Sequence, residues 1–127
     1  MFMKMTEAVK SEISDLCRQI VEICHPQQVV LFGSYAYGLP TEDSDVDLMV
    51  VMPFEGHPAY QAGAIRSQVH TPLAVDLLVR TPQQIEERME MGDPFMQEIL
   101  EHGKVLYEAD HDGMDNQSGE RLDRRAA

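Results

Sequence analysis

Three short apolar runs, QVVLF at 28–32, DVDLMVVM at 45–52 and LAVDLLVR at 73–80, set the terms for any fold this chain can adopt. Each is rich in β-branched or large apolar residues and bounded by turn-forming residues, as expected of strands buried on both faces. Between and around them the period changes. Val9, Ile13, Leu16, Ile20 and Ile23 or Cys24 recur at steps of three and four, which predicts an amphipathic helix capped by Thr6 and ended by His25-Pro26. Residues 58–70 read as a second helix. Thr81-Pro82-Gln83-Gln84 is a helix start with Thr as cap, Pro at the first position and Gln three residues on; Met91-Gly92 ends that helix. Asp93-Pro94 opens another that Gly103 closes, and Val105-Leu106-Tyr107 reads as a last short strand. The sum is an α/β (α+β) domain, helix first, with a small mixed sheet flanked by helices.

A length of 127 residues suits one domain, and 43% apolar residues suffice for a core without disulfides or a structural metal. The domain is expected over 1–108. From 109 to 127 the chain turns polar and charged and reads as a disordered tail. Cys17 and Cys24 are seven residues apart on the first helix, a separation of roughly 10 Å that is too long for a disulfide. They read as buried thiols, as in the cytoplasm. Neither a signal peptide nor a membrane-spanning run is legible, so a soluble, cytoplasmic protein is expected. The formal charge of −12 argues against stable nucleic-acid binding, which needs Lys and Arg against phosphate. Glu86, Glu87, Glu90, Asp93, Glu98, Glu101 and the tail carry much of that charge, and a basic protein is the natural partner.

The chemistry concentrates in Gly33-Ser34-Tyr35-Ala36-Tyr37-Gly38 and Asp43-Ser44-Asp45-Val46-Asp47. Residues i and i+2 of a strand share a face, so Asp45 and Asp47 present two carboxylates together at the mouth of the second strand. Like charges so placed raise one another's pKa unless a cation lies between them, and Mg²⁺ suits such hard oxygen ligands. Asp76 adds a third carboxylate in a run that otherwise reads as buried, where a lone charge is costly. If the third strand lies beside the second, Asp76 faces the same site, and three carboxylates can hold two ions. Gly33 at a strand end lets backbone N–H groups approach a phosphate, and the Ser34 hydroxyl is a further donor.

This arrangement resembles the signature of the DNA polymerase β-like nucleotidyltransferase superfamily: Gly-Ser, about ten residues, Asp-x-Asp, then a third acid on a later strand. Here the ten residues from Tyr35 to Ser44 separate Gly33-Ser34 from Asp45-Val46-Asp47. The size and the flanking LFGSYAYG and SDVDLMV look most like the minimal nucleotidyltransferases, often the antitoxins paired with a HEPN-domain toxin. The resemblance implies the polymerase β-like fold and transfer of AMP from ATP to a hydroxyl, with tyrosine on a cognate HEPN toxin as acceptor. It implies Asp45, Asp47 and Asp76 as catalytic metal ligands, Mg²⁺ as cofactor, and Gly33 and Ser34 at the β- and γ-phosphates. One residue departs from the pattern: Tyr37 stands where many members have Arg. A binding-only antitoxin acting by occlusion and an enzyme modifying a small molecule are the rival functions.

Other motifs fail on inspection. Asp43 to Asp47 begins like a calcium-binding loop, but Leu48 and Phe54 stand where Gly and Glu are required. Gly33 and Gly38 have P-loop spacing, but Leu39-Pro40 replaces Lys-Ser/Thr. The five His form no ligand-spaced pair, and Arg66 reads as a surface residue that is also within reach of a triphosphate.

Overall fold

The computed structural model describes residues 6–41 and 43–109. Its elements run α1 (Glu7–Cys24), β1 (Gln28–Phe32), α2 (Ser34–Tyr37), β2 (Val46–Val51), α3 (Pro58–Arg66), β3 (Val75–Arg80), α4 (Pro82–Glu90), α5 (Pro94–His102) and β4 (Lys104–Glu108). One four-stranded sheet has the order β3-β2-β1-β4. β1 is antiparallel to β2 and to β4, whereas β2 and β3 are parallel, so the sheet is mixed as its sequence predicts.

Both faces of the two central strands are covered, which is why their sequences run apolar without interruption. Val29, Leu31, Val46, Leu48 and Val50 pack against Ile13, Leu16, Cys17 and Ile20 of α1 and Ile65 of α3. Val30, Phe32, Met49 and Val51 pack against Met96 and Ile99 of α5, with Ile85 and Met89 of α4 alongside. The edge strands differ. In β3 only Val79 is fully buried, which corrects the expectation that the whole 73–80 run lies inside.

Local signals place the helix ends. The Thr6 hydroxyl accepts from the Val9 amide, and His25 closes α1 in the left-handed region at φ 46° with its amide on the Val21 carbonyl. At α4 the capping box is complete: Thr81 Oγ1 accepts from the Gln84 amide and Gln84 Oε1 from the Thr81 amide, both at 3.0 Å. α3 stops at Arg66, four residues before its expected end, for a tertiary reason. The Gln19 side chain of α1 donates to the His70 carbonyl and accepts from the His70 amide, each at 2.8 Å, and so takes the backbone groups that a longer helix would have used.

Cys17 is buried and Cys24 half-buried; both are free, and burial pushes both thiols up. The Ala109 amide still donates to the Gln27 carbonyl beside β1. The rest of the segment expected to be a tail lies outside the described residues, and no described helix is long and apolar enough to cross a membrane. Leu48, fully buried at the centre of β2, is the sharpest test of this core. Leu48→Ala should lower unfolding free energy by about 2–5 kcal/mol, read as a lower urea midpoint.

Candidate active site

β1 ends where β2 begins, because the two strands are antiparallel. Phe32 therefore lies opposite Asp47, and the next residue, Gly33, arrives at the carboxylate. A Cβ built on Gly33 would stand 2.1 Å from Asp47 Oδ2. The backbone there has φ 73° and ψ −156°, a conformation that is essentially confined to glycine. Gly33 is thus required twice, by its own dihedral angles and by the oxygen it touches. Ser34 follows as the first residue of α2, one turn long, and is half-buried. Gly38 closes that turn so tightly that a Cβ would lie 2.8 Å from the Ser34 Cα.

The chain then reaches Asp45 through a turn in which the Thr41 amide donates to Ser44 Oγ at 2.8 Å and the Ser44 amide to the Thr41 carbonyl at 3.1 Å. Asp45 sits just before β2 and is exposed; Asp47, inside β2, is half-buried. β3 runs parallel to β2 with Asp76 directly opposite Asp47, so the two side chains leave the same face of adjoining strands. Asp76 is exposed on the outer strand, which removes the expected cost of burying it. Burial, then the charge of Asp76, then that of Asp45, push the Asp47 carboxyl above the usual carboxylate range. All three carboxylates thus act on one place, Asp47 at its centre.

Among the described residues no three His, Cys, Asp or Glu side chains draw close enough to hold an ion as they stand. Asp47 and Asp76 share a face, with Asp45 two residues before Asp47, and the three do not close into a ligand set. Their chemistry nevertheless fits a hard divalent ion: oxygen donors only, with the central one electrostatically strained by its neighbours.

Aromatic side chains border the site, and sequence patterning alone does not reveal them. Phe32 shares the Asp47 face, and Phe95 from the start of α5 meets it edge-on at 5.8 Å with 51% of its surface exposed. The Tyr37 ring meets His102 at the other end of α5, at 6.1 Å. Arg66 is exposed at the end of α3, a helix packed on the opposite sheet face, and is not brought to the carboxylates. A cleft of about 560 Å³ lies elsewhere, lined by α3, α4 and the far end of β3 and including none of the three Asp. The carboxylate face, not this cleft, has the chemistry of a reaction centre.

The model of the family described as "Nucleotidyltransferase domain" matches residues 10–107. No curated protein matches the chain. Among solved structures, a candidate nucleotidyltransferase from Sulfolobus solfataricus is similar at a TM-score of 0.53 and 20% identity, over 83% of this chain and 90% of that one. That likeness is one of fold. A mutant of the toxin–antitoxin pair MntA–HpeT reaches a TM-score of 0.49 at 18% identity, over 77% of this chain and 75% of that one.

Two outcomes follow from this geometry. Gly33→Ala should destabilise the protein by about 1–3 kcal/mol through its backbone angles alone, with the clash on Asp47 adding to that, as a thermal melt would show. Asp47→Asn should melt higher than the parent in chelator at neutral pH. A raised acid pKa means the folded state holds the proton more tightly, so the parent gains stability as pH falls through that pKa toward the ordinary value. The advantage of Asp47→Asn should therefore shrink on acidification, and an advantage unchanged with pH would refute the electrostatic cause.

Proposed function

We propose, for a chain that belongs to the nucleotidyltransferase domain family, that it transfers AMP from ATP to a hydroxyl group with release of pyrophosphate. The acceptor in this proposal is a tyrosine of a cognate HEPN-domain toxin, and the protein is the antitoxin of that pair. The register that sets Asp47 against Asp76, with Asp45 two residues before Asp47, carries the assignment.

Asp45, Asp47 and Asp76 would hold Mg²⁺, which when bound offsets their mutual repulsion and polarises the triphosphate. The other roles belong to the chain's own groups. The missing side chain at Gly33 makes room for the Asp47 carboxylate directly against the backbone, and Gly33 with the Ser34 hydroxyl beside it would hold the β- and γ-phosphates. Asp76, exposed on the outer strand, is open to an acceptor arriving from solvent and takes the proton of its hydroxyl. The acceptor oxygen bonds to the α-phosphorus as the bond to the β-phosphate oxygen breaks. Glu86, Glu87, Glu90, Glu98 and Glu101 are exposed on α4 and α5, the helices covering the same sheet face as the carboxylates. Distant in sequence from Asp45, they add negative charge to the helices on that side of the sheet and favour a basic acceptor protein.

The test is transfer of label from ATP labelled at the α-phosphate to the neighbouring gene's product. Asp76→Asn should slow labelling by about 10²–10⁴-fold through loss of the base, and Asp45→Asn with Asp47→Asn should abolish it. ATP affinity measured by calorimetry should collapse in chelator. Labelling by the double variant, or equal ATP affinity without divalent ions, would remove the carboxylates from the mechanism. A partner neutralised equally well by that double variant would favour occlusion over transfer.

A further inference from the structure

The cleft beside β3 combines features that the reaction face does not use. Its walls are the start of α3 (His57, Pro58, Ala59, Ala62), the last four residues of β3 (Leu77, Leu78, Val79, Arg80) and one side of α4 (Gln84, Glu87, Arg88). Arg80 lies opposite Val51 at the far end of the strand from Asp76, four residues or about 13 Å away. The cleft thus runs along β3 from Leu77, next to Asp76, to Arg80, with the Arg80 guanidinium group at the end of the strand away from the carboxylates.

In a chain of net charge −12, the gathering of two guanidiniums here stands out. Lys10 and Arg18 pair with carboxylates on α1. Among the described residues Arg80 and Arg88 pair with none within 4.0 Å, although Glu87 lines the same cleft. Arg80 is half-buried, and its Nη1 donates to the Val79 carbonyl at 2.8 Å. That carbonyl belongs to the open edge of the sheet: the Ala74 and Arg80 carbonyls accept from Val46 and Met52 on the β2 side, so by alternation those of Leu77 and Val79 point outward. The bond anchors the guanidinium across the cleft wall, and among the described residues nothing else takes its remaining donors. Burial, then the nearby Arg88 charge, hold Arg80 below the usual guanidinium value; an anion between the two would offset the repulsion.

We propose that this cleft is a binding site for a small phosphorylated molecule, with Arg80 and Arg88 gripping the phosphate and Pro58, Ala59, Ala62 and Leu77 receiving an apolar or ring-shaped remainder. The volume, about 560 Å³, lies in the range of small-molecule sites. Phosphate brings close to two negative charges and three acceptor oxygens, a match for two forked guanidiniums that a single carboxylate does not provide. The proposal stands independently of the nucleotidyl transfer.

The experiment is an amide chemical-shift titration of the full chain in chelator with inorganic phosphate, AMP and a tetraglutamate peptide as separate probes. Saturable shifts at Leu77–Arg80 and Gln84–Arg88 are expected with phosphate and AMP, tighter with AMP. Arg88→Gln, at an exposed position, should weaken AMP by about tenfold or more, and Arg80→Gln likewise. Asp45→Asn with Asp47→Asn should leave the titration unchanged. Four results would overturn the proposal: no saturable shift at these amides, binding indifferent to both Arg substitutions, shifts that vanish with the aspartate pair instead, or saturation by the peptide alone, which would make the cleft a protein-docking edge.

Discussion

Carboxylates on neighbouring strands repel, and everything else at the carboxylate face depends on a sheet rigid enough to hold Asp47 beside Asp76 regardless. β2 supplies that rigidity. It is paired on both sides and covered on both faces. Val46, Leu48, Met49 and Val50 are almost wholly removed from water, each contributing about 1.5–3 kcal/mol. The strand cannot slip to separate the charges, since a shift of one residue would turn this apolar set to the wrong faces. Burial first, and then the repulsion from Asp76 and Asp45, raise the pKa of Asp47.

Much of this was legible in the residues, because local signals and tertiary structure agree. The three apolar runs became the three strands that carry the carboxylates and the Gly-Ser turn. The Thr81 capping box formed as its spacing requires, and His25-Pro26 ended α1. Two features were not legible. The early end of α3 depends on Gln19, 51 residues away from His70, and no local pattern encodes such a contact. The run 73–80 is as apolar as a buried strand, yet β3 is at an edge; composition reports how apolar a strand is, whereas strand order decides how much of it is covered. The same edge position leaves Asp76 accessible and exposes the backbone beside Arg80.

The two charged regions of the molecule follow the direction of the strands. At the beginning of β2 and β3 the side chains on the α4–α5 face are acidic; at the end of β3, Arg80 on the same face is basic. One parallel pair of strands thus presents opposite charges at its two ends, with apolar Met49 and Leu78 between them. Such a separation keeps the two ends chemically distinct in a domain with little room for a second layer of specificity.

The antiparallel turn from β1 into β2 has a further consequence. Since the ladder fixes Phe32 against Asp47 and Tyr35 is anchored in the core, the stretch after the short helix positions neither of these, although its Thr41–Ser44 turn leads into Asp45. Loop-closure entropy grows only logarithmically with length, about 0.6 kcal/mol for each doubling. Changes in that stretch can therefore reshape the rim beside the carboxylates, where Leu39 is already largely exposed, while Asp47 and Asp76 stay in the ladder that holds them. The rim of the carboxylate face is thus free to vary in shape where the paired strands beneath it are not.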